Sequence, residues 1–97
     1  MKIHLSAIAG TAMASLAGLL RERGHEVTGS DQDIYPPMST QLEELGIPVR
    51  SPYAEANVPA DADLVVIGNA LSRGNVEIEY GVRNKIMISM SRIMVQS

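Results

Sequence analysis

The first 31 residues read as a strand, a bend of small residues, a helix, a second strand and an acidic residue, an order that leaves few folds open. Residues 2–8 form a short run with apolar Ile3, Leu5 and Ile8. Ala9, Gly10 and Thr11 make a turn. Across residues 12–23, Met13, Leu16, Ala17 and Leu20 fall at the i, i+3, i+4, i+7 spacing of one buried helix face. Gly24 stops that helix, and Arg21 and Arg23 sit in its last turn, where positive charge suits the helix dipole. Residues 26–30 predict a second strand, with Asp31 just past its end. In such a βαβ unit the first helix points its N-terminal amides at a phosphate.

The rest of the chain repeats the alternation. Pro36 and Pro37 forbid helix and stiffen a loop. Residues 39–46 then read as a short helix, with Thr40 and Glu43 as a capping box, Leu42 and Leu45 buried, and Gly46 as its end. Residues 47–49 predict a short strand, and Pro48 within it argues for a sheet edge. Residues 51–60 are a polar connection with room for one helical turn. Residues 64–68 are continuously apolar, as expected of a parallel strand buried on both faces. Asn75 is placed to cap a helix over residues 76–83, with Glu77 and Glu79 near its start and Ile78 and Val82 facing inward. Residues 85–89 predict one more strand. Met90, Ile93 and Met94 have helical spacing but no capping signal, so residues 90–97 stay unassigned.

Strands alternating with helices predict an α/β, Rossmann-like three-layer domain with a parallel sheet, ordered 3-2-1-4 plus a further strand. The chain of 97 residues holds one domain at most. With no Phe, Trp or Cys, the core is built from aliphatic residues and methionine, and disulfides and thiolate metal sites are excluded. A net charge of −3 gives no electrostatic reason to expect nucleic acid or an anionic membrane as partner. No apolar run reaches membrane-spanning length, and the composition reads as a soluble cytosolic domain.

In a sheet of this kind ligands sit outside the carboxyl ends of the strands, where strand order reverses. Residues 7–13, Ser30 with Asp31, and residues 68–75 are expected to meet there. The amides of Gly10, Thr11 and Ala12 would face a diphosphate; the plainer alternative is a tight turn between strand and helix. Asp31 lies 21 residues beyond Gly10, near the spacing at which a carboxylate reaches ribose hydroxyls; the plainer alternative is a solvated turn aspartate, which is common after strands. Asn69 and Ser72 are candidates for bonding a base or sugar, and Arg73 for meeting a phosphate. His4, in mid-strand, reads as a buried, hydrogen-bonded histidine, and His25 as a surface residue. Asp61, Asp63, Glu77 and Glu79 do not read as a metal cluster. No G-x-x-x-x-G-K-[ST] loop occurs.

Ile3-His4-Leu5, the run from Ile8 to Met13, and Leu16-Ala17 resemble the opening of the Mur ligases, the ATP-dependent ligases of peptidoglycan assembly. Gly24-His25-Glu26-Val27-Thr28-Gly29-Ser30-Asp31 fits the same family's second strand. The runs from Tyr35 to Glu43 and from Val66 to Asn75 are similar to members that work in cell-wall recycling. The resemblance covers residues 2–84. It implies that residues 1–97 are the N-terminal, UDP-sugar-binding domain of a longer three-domain enzyme. That enzyme would join UDP-N-acetylmuramate to the tripeptide L-alanyl-γ-D-glutamyl-meso-diaminopimelate. The central domain would supply the ATP and Mg2+ sites and the C-terminal domain would help bind the peptide, so this stretch would bind without catalysing. By position, Ala9, Gly10, Thr11, Ala12 and Met13 would face the diphosphate, Ser30 and Asp31 would lie near the uridine, and Asn69, Ala70 and Ser72 would border the nucleotide. The family usually has glycine where this chain has Ala7. Three rival readings follow from the same residues: the corresponding domain of a ligase that adds L-alanine, an NAD-binding domain of a dehydrogenase, and an interaction module with no small-molecule ligand.

Overall fold

A computed structural model describes residues 1–96. The elements, in order, are β1 (Lys2–Ser6), α1 (Thr11–Glu22), β2 (Glu26–Ser30), α2 (Met38–Glu44), β3 (Val49–Arg50), a 3-10 turn (Glu55–Asn57), β4 (Leu64–Ile67), α3 (Val76–Arg83), β5 (Met87–Ser89) and α4 (Met90–Gln96). All neighbouring strands are parallel, and the sheet runs β3-β2-β1-β4-β5. The expected order 3-2-1-4 with one more strand is the order found.

Two aliphatic layers cover the sheet. On one face Ile3, Leu5, Val27 and Val66 pack with Met13 and Ala17 of α1, Leu42 of α2 and Met90 of α4. On the other, Val65 and Ile67 pack with Ile78 of α3 and with Val58, just after the 3-10 turn. Period-two alternation along each strand sends side chains to both layers. β1 and β4 are paired on both sides and stay almost wholly buried.

Several local expectations shift. β1 ends at Ser6 because Ala7 turns the chain with φ 72°. α2 begins at Met38, directly after Pro37, and its N-cap has no side-chain hydrogen bond. The Thr40–Glu43 capping box is therefore not made: Pro37 already carries helical backbone angles, so Thr40 falls inside the first turn rather than before it. Leu45 and Val82, expected inside, are 45% and 46% exposed. In α3 the buried stripe is Glu77, Ile78 and Gly81, one residue round from the apolar pattern. Residues 90–96, unassigned from sequence, form α4, and Met90 at its start joins the core.

One close approach sets the spacing of α1 on the sheet. A Cβ on Gly29 would lie 2.3 Å from Ile8 Cδ1 and 2.9 Å from Ile8 Cβ. Ile8 itself is fully buried and cannot swing out. Gly29→Ala should therefore destabilise the fold by about 1–3 kcal/mol, the usual range for overpacking. Urea unfolding at neutral pH checks this, and a midpoint equal to the parent would contradict it.

Candidate nucleotide site

The turn between β1 and α1 is built by the end of β2. The amides of Ala7 and Ile8 both donate to the Ser30 carbonyl, at 2.9 and 3.0 Å. The amide of Ala9 donates to Asp31 Oδ2 at 2.9 Å, and Asp31 Oδ1 accepts from the Gln32 amide at 2.8 Å. Asp31 thus closes the turn with one carboxylate oxygen and its own loop with the other. The amide of Gly10 donates back to the Ala7 carbonyl at 3.3 Å. Ala14 is the first residue whose amide makes a helical bond, to Gly10 at 2.8 Å, and α1 has no side-chain cap. Among the described residues, the amides of Thr11, Ala12 and Met13 have no acceptor. The positive end of a 12-residue helix is therefore open. Relative to the sequence reading, the free donors lie one residue further on, because Gly10 is used within the turn.

These amides border a cleft of about 460 Å³ at the carboxyl ends of β1 and β4. The cleft lies at the reversal of strand order, the position and size expected of a ligand site in an open α/β sheet. Of the residues singled out from sequence, Ala9, Gly10, Thr11, Ala12, Met13, Asp31, Asn69 and Ala70 line it. Ser30 and Ser72 do not. Ser30 is fully buried on the far face of the sheet, and Ser72 is exposed in the loop after β4, its carbonyl accepting from Asn75 at 3.3 Å. Asn75 caps α3 as expected, its side chain accepting from the Glu77 amide at 2.9 Å. Ala7 and Gly68, the first residues of two of the segments expected there, also line the cleft, as do Tyr53 and Met90, which the sequence did not point to. Gly68 forms the floor, where a Cβ would lie 3.0 Å from Ala7 Cβ.

Tyr53 reaches the cleft from the connection between β3 and β4. Its hydroxyl points at Asp31 Oδ1 across a long 3.5 Å. Burial, then the charges of Asp31 and Glu77, push this phenol up from 10 to about 12, so it stays a neutral donor at neutral pH.

Behind the cleft, on the α3 face, lies a buried polar network. Glu77 is 0% exposed and gathers five donors. Its Oε1 accepts from His4 Nε2 at 2.9 Å, Ser6 Oγ at 2.6 Å and Ser30 Oγ at 2.5 Å. Its Oε2 accepts from the Ala54 amide and Asn57 Nδ2, both at 3.1 Å. His4 Nδ1 meets Thr28 Oγ1 at 2.8 Å. His4 is thus the buried, bonded histidine expected, but its partner was missed. The available signal was the run of polar residues at alternate positions of two interior strands: His4 and Ser6, Thr28 and Ser30. A buried strand face tolerates these only when a partner is supplied. Burial alone would raise the Glu77 carboxyl; hydrogen bonds from His4, Ser30, Ser6 and Asn57 outweigh it and hold it down at about 2, against an ordinary 4.5.

The topology defines a Rossmann-like α/β domain with a cleft at the reversal of strand order. The chain belongs to the Mur ligase family: the family model described as "Mur ligase family, catalytic domain" matches residues 2–96. It is 52% identical over 86 residues to the UDP-N-acetylmuramate--L-alanyl-gamma-D-glutamyl-meso-2,6-diaminoheptandioate ligase of Escherichia coli (strain K12), covering 89% of this chain and 19% of that protein. It is 39% identical over 83 residues to the UDP-N-acetylmuramate--L-alanine ligase of Streptococcus pyogenes serotype M49 (strain NZ131), covering 86% of this chain and 18% of that protein. Among solved structures, the murein peptide ligase of Psychrobacter arcticus 273-4 superposes with a TM-score of 0.83 at 50% identity, over 90% of this chain and 18% of that one. The UDP-N-acetylmuramate-alanine ligase of Thermotoga maritima gives 0.83 at 31% identity, over 92% and 20%. The chain therefore spans about a fifth of the length of its relatives, 19% and 18% for the two proteins first named.

Two expectations follow from this geometry. Ala7 holds a left-handed backbone at φ 72°, which costs an L-residue roughly 1–2 kcal/mol, so Ala7→Gly should leave the fold as stable or more stable by up to about 1 kcal/mol. A loss of more than that in thermal unfolding would contradict it. The folded Glu77 carboxyl lies below its unfolded value, so its contribution is fully present above pH 4.5 and is lost as pH falls toward 2. The urea midpoint of the parent should fall more steeply over that interval than that of Glu77→Gln; parallel curves would refute the assignment.

Proposed function

We propose that this chain is the UDP-sugar-holding domain of a ligase of the murein peptide type, acting in cytoplasmic peptidoglycan recycling. The full enzyme would join UDP-N-acetylmuramate to L-alanyl-γ-D-glutamyl-meso-diaminopimelate. The observation that carries this reading is the open start of α1: three amides without acceptors, Thr11, Ala12 and Met13, facing a cleft at the strand-order reversal. A diphosphate supplies oxygens for such amides and negative charge for the helix end. Asn69 and Tyr53, on either side, offer an amide and a phenol to the nucleoside.

The names of the relatives at 52% and 39% identity share UDP-N-acetylmuramate and differ in the amine that is joined. The cleft addresses the shared half. The tripeptide is favoured over L-alanine by the higher identity and by the run from Val66 to Asn75.

ATP and Mg2+, which a ligase of this family requires, do not fit these residues. The sequence has no G-x-x-x-x-G-K-[ST] loop, and no group of three or more His, Cys, Asp or Glu side chains among the described residues is placed to hold a metal. This domain's part is to hold and orient the sugar nucleotide. Phosphate activation and amine attack belong to other domains of the full-length enzyme.

Amide NMR of the chain during titration with UDP and with UDP-N-acetylmuramate tests the reading. The expected result is shifts concentrated at Thr11, Ala12, Met13 and Asn69 with either ligand. No shifts at millimolar UDP, or tighter binding of NADH than of UDP, would reject it.

A further inference from the structure

We propose that Asn57 and Glu77 are positioning residues for the cleft, which neither of them lines: together they fix the backbone on both sides of Tyr53 and so hold its ring against Asp31. The inference rests on the nucleotide reading above and extends it to residues behind the sheet.

The geometry is a clamp around one residue. On the N-terminal side of Tyr53, the Pro52 carbonyl accepts from Asn57 Nδ2 at 2.9 Å. On the C-terminal side, the Ala54 amide donates to Glu77 Oε2 at 3.1 Å. Asn57 Nδ2 donates to that same oxygen at 3.1 Å, which closes the loop. The other Glu77 oxygen is bound to Ser6 and Ser30, the last residues of β1 and β2. Those strand ends also carry the turn that opens the cleft. A single buried carboxylate therefore ties the segment bearing Tyr53 to the same strand ends that carry the phosphate-facing turn. No regular element holds residues 51–54; apart from these two ties, the Ala54 carbonyl accepts from the Asn57 amide at 3.0 Å, a bond that reaches only the 3-10 turn that follows and not the sheet. The exposed Arg83–Glu55 ion pair, at 2.9 Å, adds little, since such pairs are worth little in water.

The donor pattern separates positioning from plain stability. Glu77→Gln keeps one acceptor oxygen, which the Ala54 amide and Asn57 both require. On the other side the serine hydroxyls can rotate to accept from the new amide, and His4 can carry its proton on Nδ1, toward Thr28 Oγ1, and present an unprotonated Nε2. That variant removes a buried charge from a five-donor site, so it should cost more stability than Asn57→Ala while preserving the clamp.

The experiment measures UDP affinity, the nuclear Overhauser contact between the Tyr53 ring and Asp31, and exchange of the Ala54 amide, in the 97-residue chain. Asn57→Ala is expected to weaken UDP by about threefold to tenfold, the loss of one or two hydrogen bonds. It should also erase the Tyr53–Asp31 contact and speed Ala54 exchange, while the shifts at Thr11, Ala12 and Met13 on adding UDP persist. Tyr53→Ala combined with Asn57→Ala should bind UDP no more weakly than Tyr53→Ala alone, because Asn57 acts through Tyr53. Glu77→Gln should lose less UDP affinity than Asn57→Ala although it lowers the melting temperature more. Additive losses in the double variant, an intact Tyr53–Asp31 contact in Asn57→Ala, or affinities that simply follow melting temperature would each overturn the proposal. If the parent fails to bind UDP, the nucleotide reading falls and the functional half of this proposal falls with it; the contact and the exchange, both read without ligand, then decide the clamp itself.

Discussion

The end of β2 holds the turn that follows β1. Three successive amides, Ala7, Ile8 and Ala9, are satisfied by two residues, through the Ser30 carbonyl and the Asp31 carboxylate. An unsatisfied buried amide costs about as much as a lost hydrogen bond, so this arrangement allows the chain to leave the sheet within four residues. It also decides what remains. With the turn's amides taken, the donors left over are those of the first helical turn, and they face the cleft. Asp31 serves the site first as a support: one residue that spacing suggested for a sugar is bound to backbone.

The architecture was readable because it depends on coarse patterns. An apolar run at residues 64–68, helical spacing at Met13, Leu16, Ala17 and Leu20, and glycine stops at Gly24 and Gly46 suffice to alternate strands with helices. Parallel order and the position of the cleft follow from topology. Details that depend on tertiary contacts were not readable. The Thr40–Glu43 capping box fits the local rule, yet the N-cap is Pro37, three residues before Thr40. Val82 fits the apolar pattern of α3, yet Glu77 takes the inward position, because the polar groups on β1 and β2 need an acceptor more than the sheet needs another methyl group. Tyr53 was invisible as a site residue for a related reason. It sits in an irregular segment whose path is set by side chains distant in sequence, Asn57 and Glu77.

A fully buried carboxylate is expensive unless every lone pair is used. Glu77 meets that condition with donors from β1, β2 and the connection before β4, which lie far apart along the chain. The aliphatic layers supply most of the cohesion of the domain. The network supplies register: strand ends, connection and α3 can meet this acceptor in only one arrangement. The two faces of the sheet thus differ: apolar packing under α1, and under α3 a smaller apolar cluster of Val58, Val65, Ile67 and Ile78 beside directional polar bonding.

The outer strands of the sheet are its shortest. β3 has two residues and β5 three, against five in β1 and β2. A foreign chain seeking to extend the sheet finds almost no ladder on which to add. Resistance to strand addition is thereby set by the length of the lateral strands rather than by surface charge.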